Sequence, residues 1–344
     1  MNNLKKVGLS ALAGSLAIVS ANASEMAVTG DTQVVWTSQE GNEATASGSN
    51  GKGIGVDTDL YFNASGELDN GWTMSFFNAL DTDGDANTSS MQATLGMGSL
   101  GTIVFADVGG TGANAIDDVL PFAYEETWDG TTHTSEFHQF GGSTTSGAID
   151  YRTPAFSIGD ISISATYAYD PNAGSTTRVS AGGIDSGTSA SGEAGTIKVA
   201  GYGFTFGAGF EEVENESQTT GATDLTRNTG YLKYSNGPIT VAYQEFYTNP
   251  ANSSASGTQT PDISGDGMGI SFTQDAWSMS YAEVTESNEA IAAVATATET
   301  ELTALQATYT MGAMTIGASM YETDNPEGTT GKYEETELSL SFAF

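Results

Sequence analysis

Apolar and polar residues alternate one by one along most of this 344-residue chain. The C-terminal residues show this most clearly, since Leu338, Leu340 and Phe342 alternate with Ser339 and Ser341. Successive side chains of a β-strand point to opposite faces, so a period of two predicts strands with one apolar and one polar face. Bounded by clusters of Gly, Asn and Asp, the pattern predicts about sixteen strands of about 9 to 11 residues.

The predicted strands fill most of the chain from residue 26 onward. They are residues 26–38, 53–65, 71–80, 88–97, 101–107, 146–154, 160–169, 193–200, 204–214, 224–235, 238–249, 263–273, 276–286, 298–310, 314–323 and 333–344. Most are long enough to cross a bilayer when tilted, and an even number is what a closed bacterial barrel requires.

The predicted connections alternate in length. The short ones are 66–70, 98–100, 155–159, 201–203, 236–237, 274–275 and 311–313. The long, polar ones include 39–52, 170–192, 250–262 and 287–297. Tight turns at one end and long loops at the other are typical of a transmembrane β-barrel.

The N-terminus has the pattern of a secretory signal peptide. Lys5 and Lys6 precede an apolar run, 7–19, and Ala21-Asn22-Ala23 fits a cleavage site. We therefore expect residues 1–23 to be removed and residues 24–344 to form the mature barrel. Seven of the nine Lys and Arg residues and all 43 acidic residues then remain, so the formal charge changes from -34 to -36.

Composition excludes several classes of protein. So acidic a chain lacks the basic surface that nucleic-acid binding needs. With no cysteine, it forms neither disulfides nor thiolate metal sites. After the leader, no run approaches the 18 apolar residues of a membrane helix. That leaves a soluble β-protein or a transmembrane barrel, in which only every second residue is apolar.

One long run, residues 107–142, breaks the alternation. Within it, Asn114 is expected to cap a short helix that Pro121 ends. At about 100° per residue, the apolar side chains of that helix share one face and its acids point toward water. Taken alone, such a run is typical of a solvated loop. The run contains no Lys or Arg, and five acids lie close together within residues 117–129: Asp117, Asp118, Glu125, Glu126 and Asp129.

With these features together, the chain resembles a Gram-negative general-diffusion porin of alphaproteobacterial type. The resemblance rests on the leader, the alternating strands, the sequence GGTGANAIDDVLPFAYEE after the fifth strand, and the final Phe344. It implies an all-β, 16-stranded antiparallel transmembrane barrel with an inward-folded third loop. It also implies a homotrimer in the outer membrane and passive diffusion of small hydrophilic solutes and ions.

The resemblance also implies a pore constriction. Basic residues usually line the wall that faces the acids in this family, and alternation predicts that Arg152 and Lys198 point inward. Each is either pore-lining or part of a salt bridge within the wall. Because basic residues are so scarce, a pore that prefers to pass cations is favoured. The acidic side would be formed by Asp117, Asp118, Glu125 and Glu126, with Asp129 beside them.

A second candidate site is a calcium loop. Oxygen ligands alternate at Asp81, Asp83, Asp85 and Asn87, but Gln92 stands where an EF-hand has Glu. A solvated turn is the alternative. No other cofactor is expected. Divalent ions are also candidates to link acidic loops to lipopolysaccharide in the surrounding outer-membrane lipid.

Enzyme function finds little support. The two histidines, His133 and His138, form no recognisable catalytic constellation, and the run 48–53 fails the phosphate-loop pattern. The remaining alternatives are a substrate-specific outer-membrane channel and a non-transporting surface protein such as an adhesin. A specific channel would carry aromatic residues along its lumen, whereas the inward sets here are mainly Ser, Thr, Ala and acids.

Overall fold

The computed structural model describes residues 25–41, 50–81, 87–108, 110–130, 137, 139–144, 147–173, 190–214, 223–251, 261–288, 299–325 and 331–344. Its strands, in chain order, are β1 Glu25–Gly41, β2 Gly51–Glu67, β3 Thr73–Asp81, β4 Asn87–Gly96, β5 Thr102–Val108, β6 Ala148–Arg152, β7 Phe156–Ile158, β8 Ile161–Ala173, β9 Ala190–Gly201, β10 Phe204–Val213, β11 Leu225–Asn236, β12 Ile239–Asn249, β13 Ile263–Gln274, β14 Trp277–Asn288, β15 Glu299–Met311, β16 Met314–Asp324 and β17 Lys332–Ala343. Among these residues, no helix is long and apolar enough to cross a membrane.

The strands form one closed antiparallel barrel. Each pairs with its neighbours in sequence, and β17 returns to pair with β1. Both β6 and β7 pair with β8, so they are two parts of one strand and the barrel has sixteen strands, as predicted. Pro154 interrupts that strand because it has no N–H for the ladder. The predicted connection 155–159 was therefore wrong, since 156–158 belongs to β7.

From β5 onward the connections alternate in length, as predicted, whereas the β2–β3, β3–β4 and β4–β5 connections span five residues each. Only residues 202–203, 237–238, 275–276 and 312–313 separate the strands at four of the short turns. Tyr202 and Gly203 have φ angles of 55° and 84°. Two successive residues in the left-handed region form the type of two-residue turn whose twist suits an antiparallel hairpin.

The two faces of the barrel wall differ in exposure. On β12, the side chains of Val241, Tyr243 and Tyr247 are exposed, whereas Gln244 and Thr248 are buried. The final strand has the predicted alternation too, with Leu338 and Phe342 exposed and Ser339 and Ser341 buried. We call these the apolar face and the polar face. An apolar face open to the surroundings fits lipid rather than water.

The polar face is not polar throughout. Where the β5–β6 connection (109–147) packs against it, two apolar clusters form. Residues of the connection supply part of each cluster, and small strand residues leave room for them. One cluster contains Leu120, Phe137, Ala242, Phe246, Ala282, Val284 and Leu302. The other contains Ala113, Ile116, Val119, Phe140, Ala194 and Tyr231.

The assignment of the apolar face to lipid predicts a depth-dependent cost of charge. Leu305, at the middle of β15, and Met311, beside a short turn on the same strand, are each 55% exposed. Leu305→Arg is expected to lower the free energy of unfolding by about 2–4 kcal/mol and Met311→Arg by about 0–1 kcal/mol. Urea unfolding in phospholipid vesicles measures both. Equal losses would contradict the assignment.

Candidate functional site

The β5–β6 connection contacts the polar face of strands far apart in the wall. Near its start, Gly112 N–H donates to Asp150 on β6 over 2.9 Å. Further along, the hydroxyl of Tyr124 accepts a hydrogen bond of 2.8 Å from Gln33 on β1. Other residues of the connection contact the strands from β9 to β16, through the two apolar clusters and, on β16, through a hydrogen bond of 3.5 Å from the hydroxyl of Tyr321 to Glu125. The connection therefore follows the polar face around much of the barrel.

The start of the connection is a single turn of 3-10 helix, Asn114–Ile116. Ala113 occupies the cap position, and no side chain caps the turn, so the predicted Asn114 cap was wrong. Asn114 instead donates its side-chain amide to Asp117 over 3.0 Å. A turn this short satisfies few backbone groups by itself, and side chains from the barrel wall bond to several of the others.

The acids of the connection are held by its own backbone. Asp117 accepts from the N–H of Asp118 over 2.9 Å, and Asp118 accepts from the N–H of Leu120 over 2.8 Å. Trp128 donates its indole N–H to Glu126 over 3.0 Å. The prediction that Asp117 and Asp118 point to water was wrong. Both are buried, like the apolar residues beside them, because the polar face covers this part of the connection.

Burial changes the protonation of two of these acids. It raises the pKa of Asp118 to about 7, and repulsion from Asp117 and Asp129 adds to the effect. The pKa of Glu125 rises to about 9, again chiefly through burial and then through repulsion from Glu337 and Asp129. Both carboxyl groups therefore hold a proton more readily than an exposed carboxyl group does.

The two cations predicted for the site differ in their surroundings. Arg152 donates to Asp150 over 2.7 Å and also to the carbonyl of Gly110. It thus links the wall to the start of the connection. Lys198 is exposed and forms no ion pair with the part of the chain that the structure describes. The structure does not bring Lys198 together with the acids.

Two other cations, both on β11, lie near residues of the connection. Arg227 on β11 donates to Glu211 on β10 over 3.1 Å, and Glu211 accepts the N–H groups of Gly141 and Ser143 over 3.0 Å each. Lys233, also on β11, is close enough to Asp118 to interact with its charge. A possible signal in the sequence was the opposite charge of Glu211 and Arg227 on adjacent strands. Only the observed register makes them direct partners.

The predicted calcium loop lies only partly within the described residues. Asp83 and Asp85 are outside them, as is the side chain of Asn87. Asp81 is described. One carboxylate oxygen from each of Asp57, Asp59 and Asp81 lies within 4.8 Å of the other two. The β2–β3 register brings Asp59 opposite Asp81. The calcium site stays a prediction.

Comparisons with known proteins agree with this architecture. Residues 8–344 match the family model for Gram-negative porins. No curated protein matches the chain significantly. Among solved structures, Salmonella typhi OmpF has a TM-score of 0.66 at 11% identity, covering 93% of this chain and 98% of that one. OmpT of Vibrio cholerae in its trimer form scores 0.65 at 9% identity, covering 94% and 100%. An anion-selective porin from Comamonas acidovorans scores 0.64 at 12% identity, again covering 94% and 100%.

The buried acid Asp118 predicts a pH-dependent stability. Because its folded-state pKa of about 7 exceeds the reference value of 3.8, the stability present below pH 3.8 is lost as the pH rises toward 7. Asp118→Asn is expected to reduce the loss of unfolding free energy between pH 5 and pH 8 by about 1–3 kcal/mol. Urea unfolding at the two pH values measures this.

The matched control is Asp69→Asn, at an exposed position in the short β2–β3 connection. It is expected to leave the pH dependence unchanged. If Asp118→Asn and the unsubstituted protein lose equal amounts of unfolding free energy between pH 5 and pH 8, the buried carboxylate does not titrate in this range.

Proposed function

We propose, since the chain belongs to the Gram-negative porin family and forms a diffusion channel in the outer membrane, that this channel prefers cations. Small hydrophilic solutes and ions would cross it down their gradients. The family and the fold are those of non-enzymatic channels. The observation that carries the proposal is the acidic β5–β6 connection packed on the polar face.

The β5–β6 connection acts, in this proposal, as an inward-folded third loop that narrows the lumen. Support comes from the contacts of one segment with the polar face of β1, β6 and the strands between β9 and β16. In a closed barrel, strands so far apart share only the enclosed space. Lipid, which meets the apolar face, offers no partners for the polar backbone of such a segment.

The preference for cations follows from side chains rather than from the fold. A porin from Comamonas acidovorans with the same fold is described as anion-selective. In this chain 43 acids stand against nine Lys and Arg. Arg152 and Arg227 are each paired with an acid, so neither adds a free positive charge to the lumen. Excess carboxylate raises the local concentration of cations and repels anions.

Assembly and surroundings are inferred from relatives and from charge. We propose a homotrimer, because OmpT of Vibrio cholerae is described in a trimer form. Outer-membrane lipid would contact the apolar face. Calcium at residues 81–87, and divalent ions between acidic loops and lipopolysaccharide, remain part of the proposal.

Single-channel recording in planar bilayers tests this proposal. Under a KCl gradient at neutral pH, the reversal potential is expected to show K⁺ permeating more readily than Cl⁻. Asp129, a half-buried acid of the connection, is expected to contribute, so Asp129→Asn should lower the permeability ratio roughly twofold.

The matched control carries the same change in charge at the exposed turn residue Asp69. Asp69→Asn is expected to keep the ratio of the unsubstituted protein. A preference for Cl⁻, or equal permeation of the two ions, would contradict the proposed selectivity. Raising the salt to about 1 M shortens the Debye length to about 3 Å and should weaken the preference.

A further inference from the structure

Two glutamine side chains of the wall hold the acidic part of the β5–β6 connection. Gln244 lies on β12 and Gln306 on β15, both on the polar face, and their exposed fractions are 0% and 3%. Both side chains are neutral. Each bonds to the backbone of the β5–β6 connection, and both the carbonyl oxygen and the NH₂ group of the amide take part.

Gln244 holds the backbone just before and after the first pair of acids. Its carbonyl oxygen accepts the N–H of Val119 over 2.9 Å. Its NH₂ group donates to the carbonyl oxygens of Ile116 and Asp117 over 3.0 and 3.1 Å, and to the hydroxyl of Thr229 over 2.8 Å. The amide thus fixes residues 116–119 in relation to β11 and β12.

Gln306 holds the backbone at the third acid. Its carbonyl oxygen accepts the N–H groups of residues 123–125 at 2.9 to 3.3 Å, and the hydroxyl of Ser280 at 3.2 Å. Its NH₂ group donates to the carbonyl oxygen of Glu125 and to the hydroxyl of Tyr321. The backbone on both sides of Glu125 is therefore tied to one side chain of β15.

The chemistry of glutamine suits this task. The amide donates and accepts at once, so it satisfies both N–H and C=O groups of an irregular backbone. It does so without adding charge beside carboxylates that burial already penalises. A buried backbone group left without its partner costs the desolvation of that group. Loss of either amide therefore favours movement of the connection away from the wall.

The backbone hydrogen-bond ladder of the barrel wall does not need either amide. Gln244 pairs through its backbone with Tyr231 and Gly267, and Gln306 with Ser280 and Ser319. Those ladder bonds are independent of the side chain. A substitution by Leu, of similar volume, removes the bonds to the connection and leaves the ladder unchanged.

We propose that Gln244 and Gln306 are positioning residues that set the width and the charge of the channel's narrowest part. They act by placing Asp117, Asp118 and Glu125 at fixed positions in front of the wall. This inference rests on the proposed placement of the connection inside the lumen. It assigns ion selectivity in part to two neutral side chains that are far apart in sequence.

The test compares Gln306→Leu and Gln244→Leu with the unsubstituted protein in planar bilayers. Both variants are expected to change the single-channel conductance and the K⁺ to Cl⁻ permeability ratio by roughly twofold, because the acids lose their fixed positions. Gln39→Leu is the matched control. Gln39 lies on β1 and donates to Glu335 rather than to the connection, so its loss is expected to change neither quantity.

A second variant separates positioning from folding. Gln306→Asn keeps the amide on a side chain one methylene shorter, so it is expected to insert as a barrel and still shift the permeability ratio in the direction of Gln306→Leu. Folded variants with the conductance and the ratio of the unsubstituted protein would overturn the inference, while the channel proposal would stand. An unsubstituted protein that opens no channels would instead overturn the proposed function.

Discussion

The structure depends on one constraint, that a backbone placed in lipid must satisfy its hydrogen bonds within the protein. A closed ladder meets it, because β1 pairs with both β2 and β17 and thus leaves no edge between the first and last strands. At the joint, Gly30 and the terminal Phe344 exchange two hydrogen bonds of 2.8 Å. A Cβ atom at Gly30 would lie 2.7 Å from the backbone carbonyl oxygen of Asp59 on β2, so the closure needs glycine there.

Once the ladder provides the backbone bonds, the side chains are free to serve two different surroundings. The apolar face meets lipid, and the polar face receives the β5–β6 connection, whose described residues form no ladder of their own. That segment obtains its backbone partners from side chains of the wall: Asp150, Gln244, Gln306 and Glu211. The connection thus follows the same rule as the wall, in which buried N–H groups find acceptors.

The local sequence pattern predicted the strands but not the contacts between them. Alternation predicted sixteen strands and their two faces because the side-chain period of a strand is a property of the backbone alone. The predicted helix cap at Asn114 was wrong, because a connection packed against the wall forms only one helical turn there. Alternation also selected Arg152 and Lys198 among the strand cations, although Lys233 is the cation whose charge acts on Asp118. The distances of these cations from the acids depend on strand register, which no single strand encodes.

The sequence by itself determined the barrel, the lipid-facing side, the alternation of turn lengths and the acidic character of the long connection, because each follows from residues close together in the chain. Only the tertiary structure decided that Asp117 and Asp118 are buried, that Glu211 pairs with Arg227, and which amides hold the acids in place. These contacts join residues 16 to 183 positions apart. Their geometry exists only when the sheet has closed and the connection has packed against it.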